Sequence, residues 1–76
     1  MLEDALVGVV DRDVYKFCAM YFRAHHEWPQ SMGLIARCIG ESYQMTRSSV
    51  LRLVGAGVLE RDHRYSAPVI IRNWEG

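Results

Sequence analysis

The chain has 76 residues, no formal net charge and a half-hydrophobic composition, which fits one small domain and argues against a disordered tail. At this size folding buries only about 60% of the surface the unfolded chain exposes, so stability is marginal. No apolar run reaches the roughly 18 residues of a membrane span, and the acidic start Met1-Leu2-Glu3-Asp4 is unlike the basic start of a signal peptide; the expectation is a cytoplasmic protein.

Charge is unevenly spread. Residues 1–30 carry three cations and five acids, whereas residues 31–72 carry six cations and three acids. All six cations in the second stretch are arginines, the side chain that forks onto phosphate or guanine. The two cysteines, Cys18 and Cys38, are too few for a disulfide framework. Each lies in an apolar helical pattern and is expected to be a core thiol.

There is no internal repeat, low-complexity stretch or linker. The segment Leu2 to Val10 is ambiguous between helix and short strand, and its apolar excess suits a dimer contact. Asp11 reads as an N-cap and Asp13 favours a helix N-terminus. Val14, Phe17, Cys18, Tyr21 and Phe22 then recur at the spacing of one amphipathic face. This predicts a helix over about 12–25, stopped by Pro29.

Ser31 caps a second helix, with Leu34, Ile35, Cys38 and Ile39 as its buried stripe and Gly40 just past its end. Ser42 caps a third, over about 43–55, with Thr46, Val50 and Leu53 inward and Gly57 closing it. Val58 to Asp62 and Ser66 to Arg72 read as strands of a hairpin over about 58–72, joined through His63-Arg64-Tyr65. Pro68 lacks an N–H, so its strand belongs at an edge. The expected core is Val14, Phe17, Tyr21, Ile35, Ile39, Val50, Leu53, Leu59 and Ile70 or Ile71. The fold class is therefore mainly α with a small β-hairpin, one domain over residues 1–76 with its core at about 11–72.

The informative stretch runs from Ile35 to Leu53. Ala36 is small enough for a close helix approach, Gly40 allows the positive φ of a tight turn, and Ser42 caps the next helix. Val50 and Leu53 pin that helix inward. Tyr43, Gln44, Arg47 and Ser48 are then left on its outer face near the N-terminus, the part a recognition helix presents to base edges. Arg52 lies further along, where it suits a backbone phosphate. No acidic residue occurs from Ser42 to Leu59. Arg47 and Arg52 also fit solvated helix charges, and Tyr43 and Gln44 also fit residues that merely cover the turn.

The run Trp28-Pro29-Gln30-Ser31, then Ile35-Ala36, Ile39-Gly40, Ser42, Val50, Leu53 and Ala56-Gly57-Val58-Leu59-Glu60-Arg61, resembles a bacterial or phage winged helix-turn-helix regulator. It is most similar to the DNA-binding domain of LexA-type repressors. The resemblance spans about 11–72 and rests on joint register more than on any one element. It implies a three-helix winged helix-turn-helix domain binding double-stranded DNA, with helix 43–55 as recognition helix and hairpin 58–72 as wing. The DNA-binding set is then Ser42, Tyr43, Gln44, Arg47, Ser48 and Arg52, with Arg64 and Tyr65 at the wing tip, which fit either a reach into a minor groove or an ordinary polar turn. Three positions depart from the pattern. Leu34 stands where a glutamate often completes a capping box with Ser31, Thr46 replaces an aliphatic residue, and Gly33 weakens the second helix. Those repressors also carry a self-cleaving domain, which is not expected within these 76 residues, so that activity is not carried over.

Neither metal nor cofactor chemistry is expected. The adjacent His25 and His26 do not share a helix face, His63 is distant, and there is no Cys-x-x-Cys pair. Phosphate-loop, nucleophile-elbow and paired-carboxylate patterns are also lacking, so the chain reads as a non-enzyme. Glu60 and Asp62 flank Arg61 and are expected to face solvent or arginines. Trp28 and Trp74 read as packing residues. Trp74 is expected to meet the N-terminal segment or a second copy, making a homodimer a candidate assembly. Two functions are open: a sequence-specific transcriptional regulator, and a protein-interaction module, which the zero net charge favours.

Overall fold

The computed structural model describes residues 6, 8–61 and 68–74. Three helices precede a two-stranded antiparallel hairpin: α1 Val9–His25, α2 Met32–Ile39, α3 Tyr43–Gly55, β1 Leu59–Arg61 and β2 Val69–Ile71. Leu59 pairs with Ile71, Glu60 with Ile70 and Arg61 with Val69. Residues 62–67, which include the connection through His63-Arg64-Tyr65, lie outside the described residues, as do residues 1–5.

Local signals explain most of the element boundaries. The Ser31 hydroxyl accepts from the Leu34 N–H and the Ser42 hydroxyl from the Met45 N–H, both at 3.1 Å, which satisfies donors that a helix start leaves open. Gly40 adopts φ 76° and its N–H returns to the Ala36 carbonyl. At the end of α3, Gly57 adopts φ 79°, its N–H bonds the Val54 carbonyl at 3.1 Å, and the Val58 N–H bonds the Leu53 carbonyl at 2.9 Å. This crossed pair is a Schellman closure, with Val58 and Leu53 meeting in the core beneath it. Val58 is therefore spent on the turn, and β1 begins one residue later than expected.

α1 corrects the expected start. It begins at Val9, with Gly8 as N-cap, and Asp11 is not the cap but the third helical residue. From there its carboxylate receives a hydrogen bond from the backbone N–H of Gly8, the return half of a capping box. The C-terminus falls at His25 as expected, but His26 ends the helix by taking a left-handed φ of 56° and donating to the Phe22 carbonyl at 2.7 Å. Pro29 is buried beyond it, and its carbonyl accepts from the Val69 N–H at 3.0 Å, tying the α1–α2 connection to β2.

The core gathers Val14 and Cys18 of α1, Met32 and Ile35 of α2, Val50 and Leu53 of α3, and Leu59, Val69 and Ile71 of the hairpin. Phe17, Tyr21, Ile39 and Ile70 are only half-buried. Cys38 is a correction, because its thiol is exposed. The buried face of α2 runs through Met32, Ile35 and Ala36, so its stripe is rotated away from the expected one and Cys38 falls outside it. Within the described residues Trp74 packs on Trp28 (ring centroids 5.6 Å apart) and Phe22 (6.2 Å), with the Arg23 guanidinium 5.2 Å from its ring centre. Phe22 in turn stacks on Trp28 at 4.4 Å. The carbonyl of Leu6, a described residue of the N-terminal segment, accepts a 2.9 Å hydrogen bond from Arg12 Nε.

Candidate nucleic-acid interface

α3 presents one face to the core and another to solvent. Thr46, Ser49, Val50 and Leu53 are buried. Tyr43, Gln44, Arg47, Ser48, Leu51 and Arg52 are exposed. With helical spacing, Tyr43, Arg47 and Leu51 form one row and Gln44, Ser48 and Arg52 the row beside it. Six of the sequence-predicted site residues, Ser42, Tyr43, Gln44, Arg47, Ser48 and Arg52, thus share one exposed surface. Arg64 and Tyr65 lie outside the described residues.

Ser42 acts as the cap, so its hydroxyl is engaged with the Met45 N–H. Its carbonyl accepts from the Thr46 N–H at 3.1 Å. The N–H groups of Tyr43 and Gln44, in the first turn, have no intrahelical acceptor by helix geometry. Arg47 has no hydrogen-bond or ion-pair partner among the described residues.

Arg52 differs. Its Nε donates to Asp11 Oδ2 at 3.2 Å and its Nη2 to Asp11 Oδ1 at 2.5 Å. The Ser49 hydroxyl donates to the same Oδ1 at 2.6 Å. The carboxylate is 1% exposed while the Arg52 side chain remains 56% exposed. The Arg52 hydrogen bonds hold the Asp11 carboxyl below its ordinary range, against burial, which pushes it up; Ser49 and the Gly8 N–H lower it further. The Arg52 guanidinium is raised in turn by the same pair.

No short-range pattern marks this grouping, since Ser49 and Arg52 lie 38 and 41 positions from Asp11. Two apolar neighbours were also missed. Met45 is 53% and Leu51 43% exposed, and with Tyr43 they place apolar surface among the polar groups of α3. On the hairpin, Glu60 faces Arg72 with Oε1 3.6 Å from Nε, both exposed, as its strand position predicts.

Among the described residues no three His, Cys, Asp or Glu side chains come together, and no helix is long and apolar enough to cross a membrane. His25 lies against Tyr21 at 4.5 Å and His26 beside Phe22 at 6.3 Å. Comparison with protein-family models, with curated proteins and with solved structures finds no match for this chain.

Proposed function

We propose that this chain is a small sequence-specific double-stranded DNA-binding protein of the winged helix-turn-helix type, acting as a bacterial or phage transcriptional regulator. The reading rests on one observation: Tyr43, Gln44, Arg47 and Ser48 are exposed together on the N-terminal half of α3, a helix without a single acidic residue. Guanidinium, amide, hydroxyl and phenol groups in adjacent rows are the side chains that bond base edges and phosphates. The short connection through Gly40 and the hairpin after α3 support the same reading, as does the resemblance at Ile35-Ala36, Gly40, Ser42, Leu53 and Gly57. In this reading α3 is the recognition helix and the hairpin is the wing, and the protein binds without catalysis. A single module of this kind covers only about 600–1,000 Å² on DNA, so a homodimer on a palindromic site is the favoured assembly.

A second reading has its own support. Tyr43, Met45 and Leu51 make the same face partly apolar, and the chain has no net charge, which suits a module that docks a protein partner. Titration of the protein with pooled genomic duplexes at low and moderate salt separates the two. The DNA reading expects salt-dependent binding, and expects Arg47→Ala to cost about 1–3 kcal/mol on a preferred site and to blur its sequence preference. Absence of salt-dependent duplex binding by the unaltered protein leaves the protein-docking reading in its place.

A further inference from the structure

We propose that Asp11, with Ser49 beside it, is a positioning residue that holds the Arg52 guanidinium ready on the solvent face of α3 as a contact to a nucleic-acid phosphate. The inference rests on the reading of α3 as the DNA-contacting helix.

A free arginine side chain samples many rotamers, and fixing one on a ligand carries an entropic cost. Here the cost is met on folding. One guanidinium edge, Nε and Nη2, is taken by a carboxylate that is 1% exposed, and the Ser49 hydroxyl fixes that carboxylate from the other helix's buried face. The Arg52 side chain is still 56% exposed, which leaves its other N–H groups open to an oxygen ligand. Because the carboxylate lies behind the guanidinium, an approaching anion meets the arginine first. Arg52 shares a row with Gln44 and Ser48, so the fixed group extends the exposed polar surface of α3 toward its C-terminal end.

The sign of the effect makes the idea testable. Asp11 is an anion close to the face, so by charge alone its removal strengthens binding to DNA. Positioning predicts the reverse. Binding to a fluorescent genomic-sequence duplex is measured across a salt series for the unaltered protein, Asp11→Ala, Arg52→Ala, Arg52→Lys and the double variant Asp11→Ala/Arg52→Ala. Circular dichroism at the assay temperature establishes that each is folded. Asp11→Ala is expected to weaken binding about three- to tenfold, the cost of ordering one long side chain, even though the protein becomes more positive. In the Arg52→Ala background the same change is expected to leave binding equal or tighter. Arg52→Ala should also reduce the salt slope by about one phosphate contact. Arg52→Lys keeps the charge but not the planar fork, and is expected to fall short of restoring affinity; it reports on positioning even where Asp11→Ala fails to fold.

Equal or tighter binding by Asp11→Ala in the Arg52 background overturns the proposal, as does equal weakening in both backgrounds or full activity of Arg52→Lys. Each of these leaves α3 as a DNA-binding helix. Failure of the unaltered protein to bind any duplex is a different result, which removes the DNA reading itself and this inference with it.

Discussion

Asp11 and Arg52 join the first turn of α1 to the last turns of α3 through a two-pronged ion pair, with Nε–Oδ2 and Nη2–Oδ1 separations of 3.2 and 2.5 Å. The carboxylate is buried, whereas the guanidinium reaches solvent. The two ends of the pair therefore contribute unequally. Losing Arg52 leaves a buried anion held only by Ser49 and Gly8, while losing Asp11 leaves a cation that water can solvate. Asp11→Ala is expected to destabilise the fold by about 1.5–3 kcal/mol, the range for hydrogen bonds to a charged group. Urea unfolding at neutral pH measures it.

The same carboxyl sets an acid limb on stability. Its pKa in the folded protein is lowered, first by Arg52. A group with a depressed folded pKa contributes fully above its unfolded value, about 3.9 for aspartate, and the contribution disappears as pH falls through the folded value. Unfolding free energy should therefore decline on acidification below about pH 4. Asp11→Asn should show a shallower decline. Parallel curves for the two proteins would place the acid sensitivity elsewhere.

The two cysteines should behave as opposites. Cys18 is completely buried, and burial pushes its thiol up to about 12; Cys38 is exposed on α2. A thiol reagent at neutral pH is expected to modify Cys38 alone in the folded protein and both residues in denaturant. The raised Cys18 value also gives an alkaline limb. Folding holds the proton that an unfolded thiol loses near pH 9, so stability should fall as pH rises from about 9 toward 12, at up to about 1.4 kcal/mol per pH unit. Cys18→Ala, compared over the same pH interval, should lack that slope.

Sequence alone made the three helices and the hairpin legible because short-range chemistry marks their ends. Ser31, Ser42, Gly40 and Gly57 each act on backbone groups within a few residues, so each could be read in place. The exposed face with Tyr43, Gln44, Arg47 and Ser48 followed from the same caps plus the helical period. What failed depended on distant partners. Asp11 carries the composition of a cap, but a tertiary demand from Ser49 and Arg52 draws it into the helix. In α2, only eight residues long, the apolar positions allow two stripes, and packing selected Met32, Ile35 and Ala36 over the one containing Cys38. Trp74 was legible as a packing residue but its partners were not, since Phe22 and Trp28 lie far back along the chain.

Thr46 carries a penalty that a substitution should remove. The residue is fully buried on the inner face of α3, and its hydroxyl has no hydrogen-bond partner among the described residues. A buried hydroxyl without a partner forfeits its hydration, at about 1–3 kcal/mol on mutational scales. Thr46→Val keeps the branched shape and drops the polar atom. It is expected to raise the unfolding free energy by about 1 kcal/mol, with no change in the exposed face. A loss of stability would instead show that the hydroxyl is satisfied in solution.

Gly40 and Gly55 separate backbone conformation from space. A methyl group built on either glycine meets nothing within 4 Å, so sterics against neighbours predict no difference between them. Gly40, however, sits at φ 76° at the end of α2, where a side chain crowds the backbone by about 1–2 kcal/mol. Gly55 is the last residue of α3 and is not among the glycines with positive φ. There alanine lowers the entropy of the unfolded chain without native strain, a gain of about 0.4–1 kcal/mol. Gly40→Ala should therefore lower the thermal midpoint and Gly55→Ala should raise it. For a domain of this length each 1 kcal/mol is worth about 4–8 °C, well within reach of a melting curve. Opposite signs would identify Gly40 as a conformational requirement of the α2–α3 turn. Equal signs would mean that the turn relaxes to a negative φ once a side chain is present.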